Sequence, residues 1–267
     1  MIKKIILLTV AVFMIFAGEA RAQFFLEQGK VSLPVSGGDR INKSLIIHNT
    51  TADAVKVKAY LEDFKYESPY DGSKAFLPAG TGVGSLSQWF SFSPQEFTLP
   101  AFGKQVVDYT ISVPSKVEGG HYGVLFFEKA DPPIRDASGV SVVTRLGCLF
   151  FVEPKDRLKQ ASLLNIKADG NFIKGDFSNQ SNVVLIPNTT YYAMDEGGMV
   201  ADRGEIKKLY IPPLETASWA LELPQKLNPG KYSLVINADL EDGDVVVKEI
   251  ELTKDVSGSL TITAVKD

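Results

Sequence analysis

The sequence predicts an all-β chain folded as two β-sandwich domains behind a cleaved export signal. Three observations carry that expectation. Apolar residues alternate with period two through most of the chain, Gly, Pro, Asn and Asp clusters separate the alternating runs, and an internal echo divides the chain into similar halves. Of the 267 residues, 45% are hydrophobic and 22% charged, enough apolar surface for packed cores and too much for a disordered chain.

Residues 1–22 carry Lys3 and Lys4, an apolar run over 5–16, and Ala20-Arg21-Ala22, a small-x-small cleavage pattern. The run is shorter than the ~20 residues that span a bilayer. It predicts a signal peptide, a mature chain starting near Gln23, a periplasmic or secreted location, and no transmembrane anchor after cleavage.

The strands announce themselves one by one. Over 54–62, Val55, Val57, Ala59 and Leu61 share one face, and Lys56, Lys58, Tyr60 and Glu62 the other. Over 105–113, Val107, Tyr109, Ile111 and Val113 form a buried row. Turns are marked by Gly37-Gly38-Asp39, Asn49-Thr50-Thr51 and Asp71-Gly72, with hairpin turns expected at 195–198 and at Asp242-Gly243.

The echo pairs Leu99-Pro100 with Ile211-Pro212, and Val113-Pro114 with Leu223-Pro224. It also pairs Gly120-His121-Tyr122 with Gly230-Lys231-Tyr232, and the turn at Asn49 with the turn at Asn179. Each half therefore reads as an immunoglobulin-like strand–corner–strand unit, with tyrosine packed at the corner. The expected domains are 23–154 and 155–267, the polar stretch 155–160 serving as a short linker.

Several chemistries are excluded. A net charge of −4 leaves no basic footprint for nucleic acid. The single Cys148 precludes an intramolecular disulfide and a multi-cysteine zinc site, and reads as a buried thiol. His48 and His121 lie on different strands without ligand spacing, and no Gly-x-Ser-x-Gly elbow exists. The segment 239–244 lacks the spacing of a calcium loop. No metal, cofactor or enzymatic activity is expected; the chain reads as a binding or structural protein.

Two stretches stand out as candidate surfaces. Over 140–152, Val140, Val142, Leu146, Cys148, Phe150 and Val152 form one apolar row, while Val143, Leu149 and Phe151 make the second row partly apolar, interrupted by Arg145 and Gly147. One reading is a central strand covered on both faces. The other is a sheet edge that takes a partner strand, with backbone hydrogen bonds for affinity and apolar pockets for register. In 64–97, Tyr66, Tyr70, Trp89 and Phe90 read either as an exposed aromatic surface for glycan or protein, or as core residues flanking a surface loop.

From Val113-Pro114 through 122–127 and Asp131-Pro132-Pro133 to a last strand ending in an aromatic pair and Pro154, the first half resembles the PapD-like periplasmic chaperones of the chaperone–usher pilus system. The resemblance implies a chaperone-like protein that binds a pilin-like or envelope polypeptide by strand addition. In that family a cleft arginine and lysine grip the client's terminal carboxylate; the candidates here are Lys30 and Arg145, with Val140, Val142, Leu146 and Cys148 along the strand. The chain is also similar to WxL-interacting bacterial surface proteins, through Trp89, Gly119-Gly120-His121-Tyr122-Gly123 and 227–232. That resemblance implies cell-surface adhesion or binding of cell-wall glycan.

Overall fold

The computed structural model describes residues 24–130, 134–135, 141–241 and 245–266. The signal segment 1–22, Val140, the Pro132-Pro133 loop and the Asp242-Gly243 turn lie outside the described residues. Among those described there is no helix, and the strands assemble into two sandwiches.

In the first sandwich one sheet runs β1 (Phe24–Leu26), β3 (Arg40–Asn49), β8 (Lys104–Ser112) and β6 (Phe90–Ser93), in that spatial order. The facing sheet runs β2 (Lys30–Val35), β12 (Arg145–Pro154), β9 (His121–Lys129), β4 (Val55–Tyr66) and β5 (Lys74–Pro78), with β7 (Glu96–Leu99) also on β4. A two-residue ribbon, β10 (Ile134–Arg135) with β11 (Ser141–Val142), precedes β12. The alternation read in the sequence holds. Val55, Val57 and Ala59 of β4 and Val107, Tyr109 and Ile111 of β8 are buried, joined by Phe127, Cys148 and Phe150 in one core.

The second sandwich packs β13 (Ala161–Asp169), β14 (Phe172–Asn179) and β17 (Thr216–Glu222) against a second sheet. That sheet runs β16 (Val200–Glu205), β15 (Asn188–Asp195), β18 (Gly230–Asp239), β19 (Val245–Lys254) and β20 (Leu260–Lys266). Its core holds Ile173, Phe177, Trp219, Leu234, Ile236 and Ile250. The turn at 195–198 closes the β15–β16 hairpin, with Asp195 Oδ1 accepting the Gly197 and Met199 amides.

The internal echo has a shared physical cause. Asn49 and Asn179, each nearly sealed from solvent, end equivalent strands. Asn49 Nδ2 donates to the carbonyls of Asp53 and Pro100, both at 2.8 Å, and its Oδ1 accepts the Thr51 amide. Asn179 Nδ2 donates to Val183, Ile211 and Pro212 at 2.8–3.0 Å, and its Oδ1 accepts the Ser181 amide. In both sandwiches one asparagine thus ties its own turn to the distant apolar-proline pair.

The corner tyrosines diverge. Tyr232 donates to the carbonyl of Asn228 within its own corner, 2.7 Å away. Tyr122 instead reaches across the waist of the molecule: its hydroxyl accepts the Val184 amide at 2.8 Å and donates to Glu153 at 3.2 Å. The same place in the repeat therefore braces one sandwich in one half and joins the two sandwiches in the other.

Candidate functional site

The second sandwich sits on the outer face of the β2–β12–β9–β4–β5 sheet, which is why both rows of β9 and of late β12 are apolar. Leu125, Phe127 and Phe150 face the first core. Tyr122, Val124, Phe126 and Phe151 face outward and join Phe64, Tyr66 and Val184 in a third cluster at the waist. The rings form a connected row: Phe151 to Phe64 at 5.6 Å, Phe64 to Tyr66 at 5.8 Å, and Tyr66 stacked on Tyr210 of the second sandwich at 5.0 Å.

Beside this row opens a cleft of about 380 Å³ between the sandwiches. Lys30 enters from β2 and lies over the Phe151 ring, its Nζ 4.4 Å from the centroid. Lys74 enters from β5 and lies over Tyr66 at 4.9 Å. Lys208 lines the second-sandwich wall, two residues before Tyr210. Arg157 and Lys159, just after β12, are turned to carboxylates: Arg157 to Glu153 at 3.6 Å and Lys159 to Glu241 at 3.5 Å. Burial raises the Glu153 carboxyl above its ordinary value although Arg157, Tyr122, Lys159 and Lys30 all pull the other way. Burial likewise lowers the Lys74 ammonium.

The segment 140–152 divides into parts with different edges. From Leu149 to Val152, β12 is central, antiparallel to β9 on one side and parallel to β2 on the other; the β2 pairing begins with Lys30 opposite Leu149 and continues to Val35 opposite Pro154. For that part the covered-strand reading is correct, and the expectation of an open edge along the whole segment is not met. Residues 145–148 are paired with β9 alone. Because Leu149 donates its amide to Gly29 on the β2 side, the pleat turns the N–H and C=O groups of Arg145 and Gly147 to that same side. Among the described residues no strand pairs with them there.

The side chains of the predicted site separate accordingly. Leu146 packs against the first core and Cys148 is fully buried within it, burial pushing its thiol up to about 12. These two therefore offer a partner neither side chain, since their row faces inward, nor backbone, since the pleat turns their N–H and C=O groups to β9. Val142 pairs through its backbone with Ile134. Gly147 leaves room for the outer row, since a Cβ there would meet Val124 Cγ2 at 2.7 Å and Phe126 Cε1 at 2.9 Å. Arg145 lies over Phe126, with its guanidinium carbon 4.0 Å from the ring centroid, and is paired with Glu62 at 3.4 Å. It sits four register positions before Leu149, on a different part of the sheet face from Lys30, so the two expected cleft cations do not converge.

The aromatic residues do not form one exposed surface. Tyr66 is buried at the waist, Tyr70 packs on the second core, and its hydroxyl donates to Glu215. Phe90 is buried in the first core, and Trp89 packs beside it with its ring 3.7 Å from that of His121. Sequence reasoning missed Lys74, Arg157, Lys159 and Lys208. Each is an ordinary charge on its own strand or loop, and only the docking of the second sandwich brings them to one cleft.

No protein-family model and no curated protein matches the sequence. Among solved structures, a chain of a chaperone–tip adhesin complex of CFA/I fimbriae biogenesis matches with a TM-score of 0.51 and 15% identity, over 85% of this chain and 97% of that one. The class 5 fimbriae chaperone CfaA matches at 0.49 and 15%, over 84% and 97%. The Escherichia coli chaperone DraB matches at 0.44 and 16%, over 91% and 96%. The first of these shows a shared fold over most of both chains.

Proposed function

We propose that the protein is a non-enzymatic, exported chaperone-like factor that binds the C-terminal segment of a pilin-like or envelope polypeptide by β-strand addition. One observation supports this above the others: among the described residues no strand pairs with 145–148 of β12 on the side away from β9, an edge that runs into the strand position held by β2. A partner strand placed there continues the line of β2.

The polarity of that strand follows from charge. β2 is parallel to β12, so a parallel partner ends where β2 begins, with its terminal carboxylate at Lys30. An antiparallel partner would bring an ammonium to Lys30 and into the cationic cleft, a repulsive arrangement. Four residues of strand span about 13 Å, and the outward groups of Arg145 and Gly147 supply the ladder. Residues 1–22 would provide export, after which the chaperone meets its client outside the cytoplasm. Among the described residues, Tyr66, Tyr70, Trp89 and Phe90 do not share one exposed platform that would support the glycan-binding reading.

The test is a photo-crosslinking side chain in place of Val143, which is half-exposed just before β12, in cells expressing the protein. The expected product is an adduct with an envelope polypeptide through that polypeptide's last residues. Arg145→Pro, which removes an outward N–H at the strand's first position where proline is tolerated, should abolish it. Adducts confined to internal segments of other proteins, or capture unaffected by Arg145→Pro, would overturn the reading.

A further inference from the structure

A second cleft opens at the waist, and its balance of charge is opposite to that of the first. It measures about 460 Å³ and shares Tyr66 and Val184 with the cleft that holds Lys30. Phe64 and Tyr122 of the waist cluster also line it. Glu67 and Glu215 line it too, one from each sandwich, against a single ammonium, that of Lys65. Among the described residues none of these three charges is in a salt bridge. The Glu215 carboxylate accepts the Tyr70 hydroxyl at 3.1 Å and keeps further acceptor capacity.

Both rims of this cleft are fixed. Asp63, buried beneath one rim, accepts the Thr81 amide at 3.0 Å, the Gly82 amide at 2.8 Å and the Ser85 hydroxyl at 2.7 Å. These bonds hold a loop on which Val83 is fully exposed. Gly84, at φ 68, is packed so closely that a Cβ would lie 2.7 Å from the Gly120 carbonyl oxygen. On the other rim the Pro212 carbonyl accepts the Glu215 amide at 3.2 Å and the Asn179 side chain at 2.9 Å. Leu214 lies within that turn, exposed, with its backbone in the left-handed region at φ 63. An aliphatic side chain kept in water by a rigid turn is contact surface organised in advance.

We infer that this cleft docks an arginine of a polypeptide partner, the guanidinium on Glu67 and Glu215 and the arginine's aliphatic neighbours on Val83 and Leu214. Two carboxylates against one ammonium select a cation. The aromatic lining favours arginine over lysine, because a guanidinium is planar, stacks on rings and sheds water more readily than an ammonium. The arginine stem covers the apolar lining, and the carboxylates accept its fork of donors. The site draws neither on the edge of β12 nor on Lys30. It goes beyond strand addition and does not depend on it.

The test titrates the isotope-labelled protein with acetylated, amidated tripeptides and follows its backbone amides by NMR at about 50 mM salt, where screening is moderate. Val-Arg-Val should shift the amides of Val83, Gly84 and Gly120 saturably. Val-citrulline-Val, of the same shape without the charge, should bind about tenfold more weakly, the scale of one charge-assisted hydrogen bond. Gly-Arg-Gly, which lacks the aliphatic neighbours, should bind about fivefold more weakly. Glu67→Gln and Glu215→Gln, which keep shape and the acceptor for Tyr70, should each narrow the preference for arginine over citrulline, and together erase it. Lys65→Met, which removes the opposing ammonium, should widen it. If Val-Arg-Val leaves those amides unmoved, or the double variant keeps the arginine preference, the cleft does not dock arginine. Either result leaves strand addition standing, since an amidated tripeptide brings no carboxylate to Lys30.

Discussion

Replacing Asn179 with alanine isolates the clasp that defines the repeat. The side chain is 1% exposed, so water does not replace what it provides. Of the three carbonyls it reaches, two keep other partners: Ile211 accepts the Leu185 amide and Pro212 accepts the Glu215 amide. The Val183 carbonyl and the Ser181 amide are left stranded. Each buried unpaired group costs about 1–3 kcal/mol, which places Asn179→Ala near 3–4 kcal/mol after partial relaxation. With a urea slope of about 2 kcal/mol per molar, the midpoint falls by about 1.5–2 M. Trp219 lies in the second core and Trp89 against the first, so a Trp89→Phe background reports on the affected sandwich by fluorescence. Asn179→Asp should be worse than alanine, because it aims a carboxylate oxygen at the three carbonyls. A loss below about 1 kcal/mol for Asn179→Ala would mean that the clasp follows the fold rather than holding it.

Two further outcomes are expected. The Cys148 thiol, pushed up to about 12 by burial, should resist a thiol-specific reagent at pH 8 and react fully in urea; rapid labelling of the folded protein would show that the strand row opens. Burial holds the Glu153 carboxyl above its ordinary 4.5. The folded state therefore keeps a proton that the unfolded chain has released, and stability falls as pH rises through that window. Urea midpoints between about pH 4 and 7 should show this decline, and Glu153→Gln should flatten it.

The strands and the repeat were legible because their causes are local. Val55, Val57 and Ala59 alternate whatever packs on them, and Asn49 and Asn179 sit at fixed places relative to their own turns. Edges and clefts depend on partners distant in sequence. The two apolar rows of 140–152 were compatible with a covered strand or an open edge; among the described residues 149–152 pair on both sides and 145–148 with β9 alone. β2 covers 149–154 from more than a hundred residues away and stops at Lys30. The aromatic residues of 64–97 looked like one group in the sequence, yet they are shared among two cores and the waist. Lys74 and Lys208 carried no signal, since a lysine on an exposed row is ordinary until another sandwich faces it. Tyr122 resembled Tyr232 in spacing, and its different role follows from Glu153 and Val184, neither of which is its neighbour in sequence.

Residue-resolved amide exchange along β12 tests the bare edge most directly. In the free protein, the amides of Arg145 and Gly147 should exchange at least about a hundredfold faster than those of Leu146, Cys148, Leu149 and Phe151, which are paired to β9 or to β2. Protection of Arg145 and Gly147 equal to that of Leu149 would show the edge already occupied by the protein's own chain, and would contradict strand addition at this site.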